Sequence, residues 1–214
     1  MNKKINRILI KKNKSKIVSI TAYSKSIAKI LDKHVYIVLV GDSMANVLYG
    51  HKNTHKITLE NTIQHTKSVK MGIKKSLLVV DMPKGTYNNL KSAEKNVRKV
   101  FKKTGCDAVK LENYKNNYKI IKSLVSKEFP VMGHIGYTPQ FKKSFKIEGE
   151  TKIKAIQLWK EAKLIEKAGA FSIVLECIYP AAAKLITSNL KIPTIGIGSS
   201  INCDGQILVT DDML

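Results

Sequence analysis

The stretch VYIVLVGDSM, residues 35–44, decides the fold. Six apolar residues in a row, Val35 to Val40, are followed directly by Gly41, Asp42 and Ser43. A short continuous apolar run that ends in turn residues is typical of a buried strand in a parallel sheet. The polar residues therefore lie where the strand ends and the chain leaves the sheet.

Similar β-rich runs recur along the chain, and helical patterns lie between most of them. We predict strands over residues 17–23, 35–42, 76–83, 107–112, 130–136, 171–177, 194–198 and 206–210, and helices over 25–34, 59–72, 89–105, 118–129, 150–169 and 180–190. Alternating strands and helices imply parallel pairing through right-handed crossovers. The sequence therefore predicts an α/β fold of the (β/α)8 TIM-barrel class, with an open doubly wound sheet as the alternative.

The composition narrows the class of protein. With 214 residues and 43% hydrophobic content, the chain is long enough for one domain over residues 1–214. No apolar run approaches the roughly 18 residues of a membrane span, so we expect no membrane partner and a cytoplasmic location. The basic N-terminal segment could mimic a transit peptide, but it runs directly into the first predicted strand.

The cysteines narrow the possible sites. The chain has three cysteines without CxxC spacing, and they support neither a disulfide framework nor a zinc site.

The formal net charge of +22 is large enough to attract polyanions. The lysines, however, are scattered over nearly every predicted helix and loop, and no basic–aromatic nucleic-acid motif is present. Lys, Asn and Ile are all abundant, as a chain-wide codon bias would produce. The sequence therefore argues against nucleic acid as the partner.

Ionisable side chains end the inward face of several predicted strands. Because side chains alternate along a strand, Asp42 shares a face with Val38 and Val40. The same alternation puts an ionisable group at the end of the inward face of the next four strands: Asp81, Lys110 with Glu112, His134 and Glu176. The carboxyl ends of barrel strands carry the active sites of this fold, so these residues are the candidate site.

Each candidate also has a structural interpretation. An aspartate after an apolar run, such as Asp42 or Asp81, is commonly a helix cap or a turn residue. Lys110 alone could extend towards solvent along an apolar surface, and His134 alone is more often a hydrogen-bonded structural histidine. Five consecutive strands, however, each end their inward face with an ionisable group, and this recurrence favours a functional site over separate structural roles.

The residue types indicate a reaction. Asp42 and Asp81 resemble the sparse oxygen ligation of Mg²⁺, which keeps positions for water and substrate. A 2-oxo acid bound through its carboxylate and keto oxygens would have its adjacent C–H acidified, because the metal stabilises the enolate. Glu176 is a candidate base, Lys110 would hold the substrate carboxylate, and Glu112 would orient a water on the metal.

Several segments, taken together, resemble the ketopantoate hydroxymethyltransferase family, which belongs to the phosphoenolpyruvate-mutase-like barrel superfamily. The similar segments run in order along nearly the whole chain: ITAYS, VGDSMANVLYGH, TLENTIQHTKSVKMG, VVDMP, GCDAVKLE, VMGHIGYTPQ, AGAFSIVLEC and IPTIGIGSSINCDGQILV. The resemblance implies transfer of a hydroxymethyl group from 5,10-methylenetetrahydrofolate to 3-methyl-2-oxobutanoate. The product would be ketopantoate, on the route to pantothenate and coenzyme A.

The resemblance also implies roles for individual residues. It puts the metal site at Asp42 and Asp81, which also hold the substrate through the metal, and at Glu112, the acid at the metal's water. It implies substrate-carboxylate contacts at Ser43 and Lys110. The implied catalytic residues are Glu176, which removes the proton, and His134, a histidine near the substrate. The implied partners are a small 2-oxo acid and a reduced folate. A homo-oligomer, a decamer in many members, is implied as well.

The chain departs from the family pattern at a few positions. Ser24 follows Tyr23 where many relatives have aspartate, Glu150 follows Gly149 where they have arginine, and Pro180 comes later than usual. The family pattern continues beyond the last strand, whereas this sequence stops at DDML, where an aspartate would cap the eighth helix. We therefore expect a barrel whose C-terminal helix is truncated, with apolar surface exposed on the neighbouring strands.

Two other functions fit part of the pattern. One is a related Mg²⁺-dependent aldolase or lyase that acts on another 2-oxo acid. The other is a catalytically decayed basic barrel that binds RNA or acidic partners.

Overall fold

Eight parallel strands follow one another in chain order around a closed barrel in the computed structural model, which describes residues 2–142 and 144–214. The strands are β1 (Ile17–Thr21), β2 (Ile37–Val40), β3 (Leu77–Asp81), β4 (Ala108–Glu112), β5 (Val131–Gly136), β6 (Ser172–Glu176), β7 (Thr194–Ile197) and β8 (Gly205–Leu208). The predicted (β/α)8 barrel is confirmed, and the alternative of an open sheet is wrong.

Helices connect most of the strands. They are α1 (Lys3–Leu9), α2 (Lys25–Leu31), α3 (Met44–Val47), α4 (Leu59–Lys70), α5 (Leu90–Thr104), α6 (Tyr118–Val125), α7 (Lys152–Lys167) and α8 (Pro180–Asn189), with short 3-10 helices at Thr54–Lys56 and Thr210–Asp212. All six predicted helices are present. Two observed helices were not predicted: α3, which has only four residues, and α1, which is short and rich in lysine although Ile5 and Ile8 on one side of it are buried.

The apolar runs explain the strand positions. All four residues of β2 are buried, and so are all five residues of β3. A strand that is covered on both faces leaves no room for exposed polar residues, which is why these strands read as continuous apolar runs rather than alternating ones. Each predicted strand is longer than the observed one at one or both ends, except at the start of β8.

The chain forms two compact units. The N-terminal unit comprises Val18–Lys110 with Leu208–Leu214, and the C-terminal unit comprises Met1–Ile17 with Leu111–Ile207. In the N-terminal unit, α4 packs on β2 and β3 and also contacts α2 and α5. In the C-terminal unit, α7 packs on β5 and β6 between α6 and α8. A single domain over residues 1–214 stays a prediction.

Residues 209–214 follow β8. Among the described residues no α-helix follows β8, so Asp211 and Asp212, which lie in a 3-10 helix, cap no α-helix there. The Thr210 N–H donates to Thr21 Oγ1 at 3.1 Å, and the Thr210 hydroxyl donates to the Thr21 carbonyl. Val18 of β1 and Leu208 of β8 are 44% and 46% exposed, as expected for strands without a covering helix.

Among residues 2–142 and 144–214, no helix is long and apolar enough to cross a membrane.

A buried carboxylate fixes the start of β3, the strand that carries Asp81. Asp32, at the C-terminal end of α2, accepts hydrogen bonds from the backbone N–H groups of Lys74 (3.0 Å), Lys75 (2.9 Å) and Ser76 (2.8 Å). Burial alone would raise the pKa of Asp32, but these donors hold it below 3.8. The charged form of Asp32 therefore stabilises the folded state.

We expect Asp32→Asn to lower the free energy of unfolding by about 1–2 kcal/mol at pH 7, because the amide offers one acceptor oxygen in place of two. The pKa of Asp32 is lowered on folding, so its contribution is present above the unfolded pKa and is lost as the pH falls below about 4. Urea denaturation between pH 3 and 7 tests this. Asp212→Asn, at an exposed position, is the matched control. A loss of stability that is the same at every pH would contradict the assignment.

Candidate active site

The N-terminal unit contains a buried ion pair at the ends of two neighbouring strands. The register of β3 and β4 places Asp81 beside Lys110. Lys110 Nζ donates to Asp81 Oδ2 at 2.7 Å, and both side chains are almost fully buried. Lys110 thus points inward, as its position between the apolar residues Val109 and Leu111 predicts.

The two aspartates interact electrostatically. Burial raises the pKa of Asp81, the Lys110 ammonium opposes this, and the Asp42 carboxylate raises the pKa further. Asp42 is therefore close enough to Asp81 for their charges to repel. Asp81 Oδ1 is buried and has no hydrogen-bond partner among the described residues.

The turn after β2 exposes a serine hydroxyl to the site. Ser43 lies at the N-cap of α3, but its side chain makes no capping hydrogen bond. Its Oγ instead lies 2.8 Å from the hydroxyl of Tyr23, which follows β1. Burial raises the pKa of Tyr23 to about 12, although the hydrogen bond with Ser43 acts in the opposite direction. The phenol therefore stays neutral at physiological pH.

In the C-terminal unit, a histidine lies between two glutamates. His134 Nε2 is 3.2 Å from Glu176 Oε2, and His134 Nδ1 is 3.7 Å from Glu112 Oε1. His134 and Glu112 are completely buried, whereas the Glu176 side chain is 20% exposed. Glu176 is thus the member of this group that solvent or a small molecule can reach.

Glu112 is held on its other side by the loop after β5. The Gln140 N–H donates to Glu112 Oε2 at 3.2 Å. Tyr137 of the same loop is also nearby: burial, and then the charges of Glu176 and Glu112, raise the pKa of its phenol. Glu112 therefore lies among His134, Gln140 and Tyr137, in a position from which it can orient the His134 ring.

The carboxylates of the N-terminal unit fit a magnesium ion only if the ion keeps several waters as ligands. Within residues 2–142 and 144–214, no group of three or more His, Cys, Asp or Glu side chains is arranged to hold a metal ion. Magnesium, however, is commonly bound through one or two carboxylates while it keeps several waters. Asp81 Oδ1, which is buried and has no hydrogen-bond partner in the described part of the chain, suits such a ligand, and the neighbouring Asp42 supplies a second carboxylate.

The sequence analysis missed Tyr23 and Gln140. The alternation rule, applied to the first strand, places Tyr23 on the same face as Ser19 and Thr21, which are both buried, so a signal for Tyr23 existed. Gln140 acts through its backbone N–H in an irregular loop, and a residue-type pattern carries no information about such a contact.

Comparison with solved structures shows the class of fold: other (β/α)8 barrels match this chain over nearly its whole length. A phosphoenolpyruvate phosphomutase from Streptomyces platensis subsp. rosaceus matches with a TM-score of 0.73 at 11% identity, over 98% of this chain and 81% of that chain. An oxaloacetate acetylhydrolase matches with the same TM-score at 12% identity, over 98% of this chain and 81% of that chain. At these identities the similarity shows the fold alone.

Sequence comparison then shows the family. The sequence profile described as ketopantoate hydroxymethyltransferase matches residues 2–214. The 3-methyl-2-oxobutanoate hydroxymethyltransferase of Pelagibacter ubique (strain HTCC1062) is 54% identical over all of this chain and 83% of its own length. The enzyme of the same name from Clostridioides difficile (strain 630) is 50% identical over 93% of this chain and 74% of its own. The chain belongs to the ketopantoate hydroxymethyltransferase family.

Removal of the lysine from the buried ion pair should destabilise the protein in a pH-dependent way. We expect Lys110→Met to cost about 3–5 kcal/mol of unfolding free energy at pH 8, because Asp81 is left buried without its cation. The pKa of Asp81 then rises further, so the penalty grows as the pH rises and shrinks as Asp81 takes up a proton at lower pH. Chemical denaturation at pH 5 and pH 8 measures both values.

The double variant Lys110→Met/Asp81→Asn is the control for this prediction. It removes the orphaned charge, so it should be more stable at pH 8 than Lys110→Met alone. An equally unstable double variant would indicate that Lys110 contributes through packing rather than through its charge.

Proposed function

We propose that this protein transfers a hydroxymethyl group to 3-methyl-2-oxobutanoate and forms ketopantoate, with 5,10-methylenetetrahydrofolate as the one-carbon donor and Mg²⁺ as the cofactor. The family match over residues 2–214 supports the reaction and favours it over an aldolase or lyase of the same fold. The observation that carries the proposal is the buried Asp81–Lys110 pair, in which one carboxylate oxygen of Asp81 has no hydrogen-bond partner within residues 2–142 and 144–214.

The N-terminal unit would bind the keto acid. Asp42 and Asp81 would hold Mg²⁺, which as a Lewis acid makes the C–H next to a keto group more acidic. Lys110 is a cation in a low-dielectric environment and would bind the substrate carboxylate. Ser43 would donate its hydroxyl to the same carboxylate while Tyr23 donates to Ser43.

The C-terminal unit would supply the base. Glu176 would remove the C3 proton, and the electron pair of the broken C–H bond would delocalise into the enolate. That pair would then form the new carbon–carbon bond to the methylene carbon of the folate. The two carbon–nitrogen bonds of that methylene group would break, water would supply the hydroxyl oxygen of the product, and tetrahydrofolate would leave. His134, 3.2 Å from Glu176, would orient the carboxylate and share the proton, and Glu112 would orient His134 from its other side.

We further propose that the protein works in the cytoplasm as a homo-oligomer. The family match over residues 2–214 supports this, because the resemblance to the family implies a homo-oligomer.

Proton exchange at C3 of the keto acid tests the base. In heavy water without the folate, NMR should show Mg²⁺-dependent exchange, and Glu176→Gln should slow it at least about a hundredfold, because no other group replaces a positioned base. Glu60→Gln, at the exposed ion pair with Lys99, is the matched control and should exchange at the wild-type rate. Undiminished exchange in Glu176→Gln would reject Glu176 as the base.

Magnesium binding can be measured apart from activity. Titration calorimetry should detect Mg²⁺ binding by the wild-type protein and by Asp212→Asn. Asp81→Asn should weaken it at least about tenfold, since the amide removes a charged ligand. An unchanged affinity in both Asp81→Asn and Asp42→Asn would exclude this pair as the metal site.

A further inference from the structure

The loop that carries Tyr23 is tied to α4 by a histidine. His65 Nδ1 lies 2.9 Å from the Tyr23 carbonyl oxygen, and His65 Nε2 lies 2.9 Å from the Tyr49 hydroxyl. The rings of Tyr23 and His65 also meet edge to face, with centroids 6.3 Å apart and an interplanar angle of 86°. One side chain thus contacts both the backbone and the ring of Tyr23.

The chemistry of these partners fixes the tautomer of His65. A carbonyl oxygen can only accept, so Nδ1 must carry the proton and donate to Tyr23. In the neutral ring Nε2 is then an acceptor, and the Tyr49 hydroxyl donates to it. Tyr49 also packs edge to face on His65, with centroids 5.9 Å apart, so the imidazole is held from two directions.

From Tyr23 the chain of contacts continues to the candidate substrate site. The Tyr23 hydroxyl is 2.8 Å from Ser43 Oγ, and the phenol is buried. A small displacement of the Tyr23 backbone would move its hydroxyl and would turn the Ser43 hydroxyl away from a bound carboxylate. Small misplacements of substrate-binding groups have large effects on rate.

We propose that His65 is a positioning residue for substrate binding: through its Nδ1–H it holds Tyr23 so that the tyrosine hydroxyl orients Ser43 towards the carboxylate of the keto acid. This inference rests on the proposed function, in which Ser43 binds that carboxylate. His65 does not touch the substrate in this scheme, and it acts through Tyr23.

A second tether on the same helix provides a control. Ser68 lies one turn after His65 on α4, and its hydroxyl accepts a hydrogen bond from the Lys25 N–H at 3.1 Å. Ser68 therefore anchors the start of α2, two residues beyond Tyr23, through a hydrogen bond to Lys25 rather than to Tyr23. Loss of this hydrogen bond should loosen the attachment of α2 to α4 but leave Tyr23 in place.

The experiment compares two substitutions of His65. In His65→Asn the amide nitrogen occupies nearly the position of Nδ1 and can still donate to the Tyr23 carbonyl. In His65→Gln the amide nitrogen corresponds instead to Nε2, so the donor to Tyr23 is lost. Affinity for 3-methyl-2-oxobutanoate is measured by calorimetry in the presence of Mg²⁺, KM and kcat are measured with the folate donor, and Tm is measured for each variant.

We expect His65→Gln to raise KM and Kd for the keto acid about tenfold with a much smaller change in kcat. His65→Asn should stay within about threefold of wild type, and Ser68→Ala should bind the keto acid like wild type even where its Tm falls as far as that of His65→Gln. Equal losses of affinity in His65→Gln and Ser68→Ala, or equal affinities in His65→Gln and wild type, would overturn the proposal.

Ser43→Ala separates this inference from the proposed function. If Ser43→Ala weakens keto-acid binding and His65→Gln does not, the positioning role of His65 is wrong and the substrate assignment stands. If Ser43→Ala binds the keto acid as tightly as wild type, the assignment of Ser43 fails and the role of His65 fails with it.

Discussion

Burying a carboxylate without a cation costs several kcal/mol, so a fold that places Asp81 at the buried end of β3 needs a positive partner. Lys110 supplies it from the next strand, at 2.7 Å and at the paired position of the register. Such a pair contributes little net stability, because both charges lose their hydration. It does require one register, since a shift of a single residue would turn one of the two side chains to the other face of the sheet. The candidate site therefore depends on the alignment of β3 with β4.

Each unit provides one kind of chemistry. The N-terminal unit gathers groups that can hold an anionic, chelating molecule: two carboxylates, an ammonium group and a chain of hydroxyls. The C-terminal unit gathers groups that can move a proton: Glu176, His134 and Glu112. All of these are at strand ends or in the turns that follow, where the backbone is fixed by the sheet and the side chains are free to vary.

The barrel was predictable from the sequence because buried parallel strands appear as continuous apolar runs, as in all of β2 and in residues 77–80 of β3. The same alternation located Asp42, Asp81, Lys110, Glu112, His134 and Glu176 at strand ends. The short helix α1 was not predicted, because its two buried residues are outnumbered by charged ones. The contact of His65 with Tyr23 was not predictable either, since it joins a helix to a loop 42 residues earlier in the chain. Side-chain contacts to backbone carbonyls leave no periodic trace in a sequence.

The bonds between Thr210 and Thr21 join residues 189 positions apart. On the ribosome, β1 is therefore made well before Thr210, and its edge groups stay in water or in transient contacts until residue 210 has emerged. A contact between residues so far apart in sequence carries a large entropic cost of loop closure, so it is expected to form late and slowly in folding.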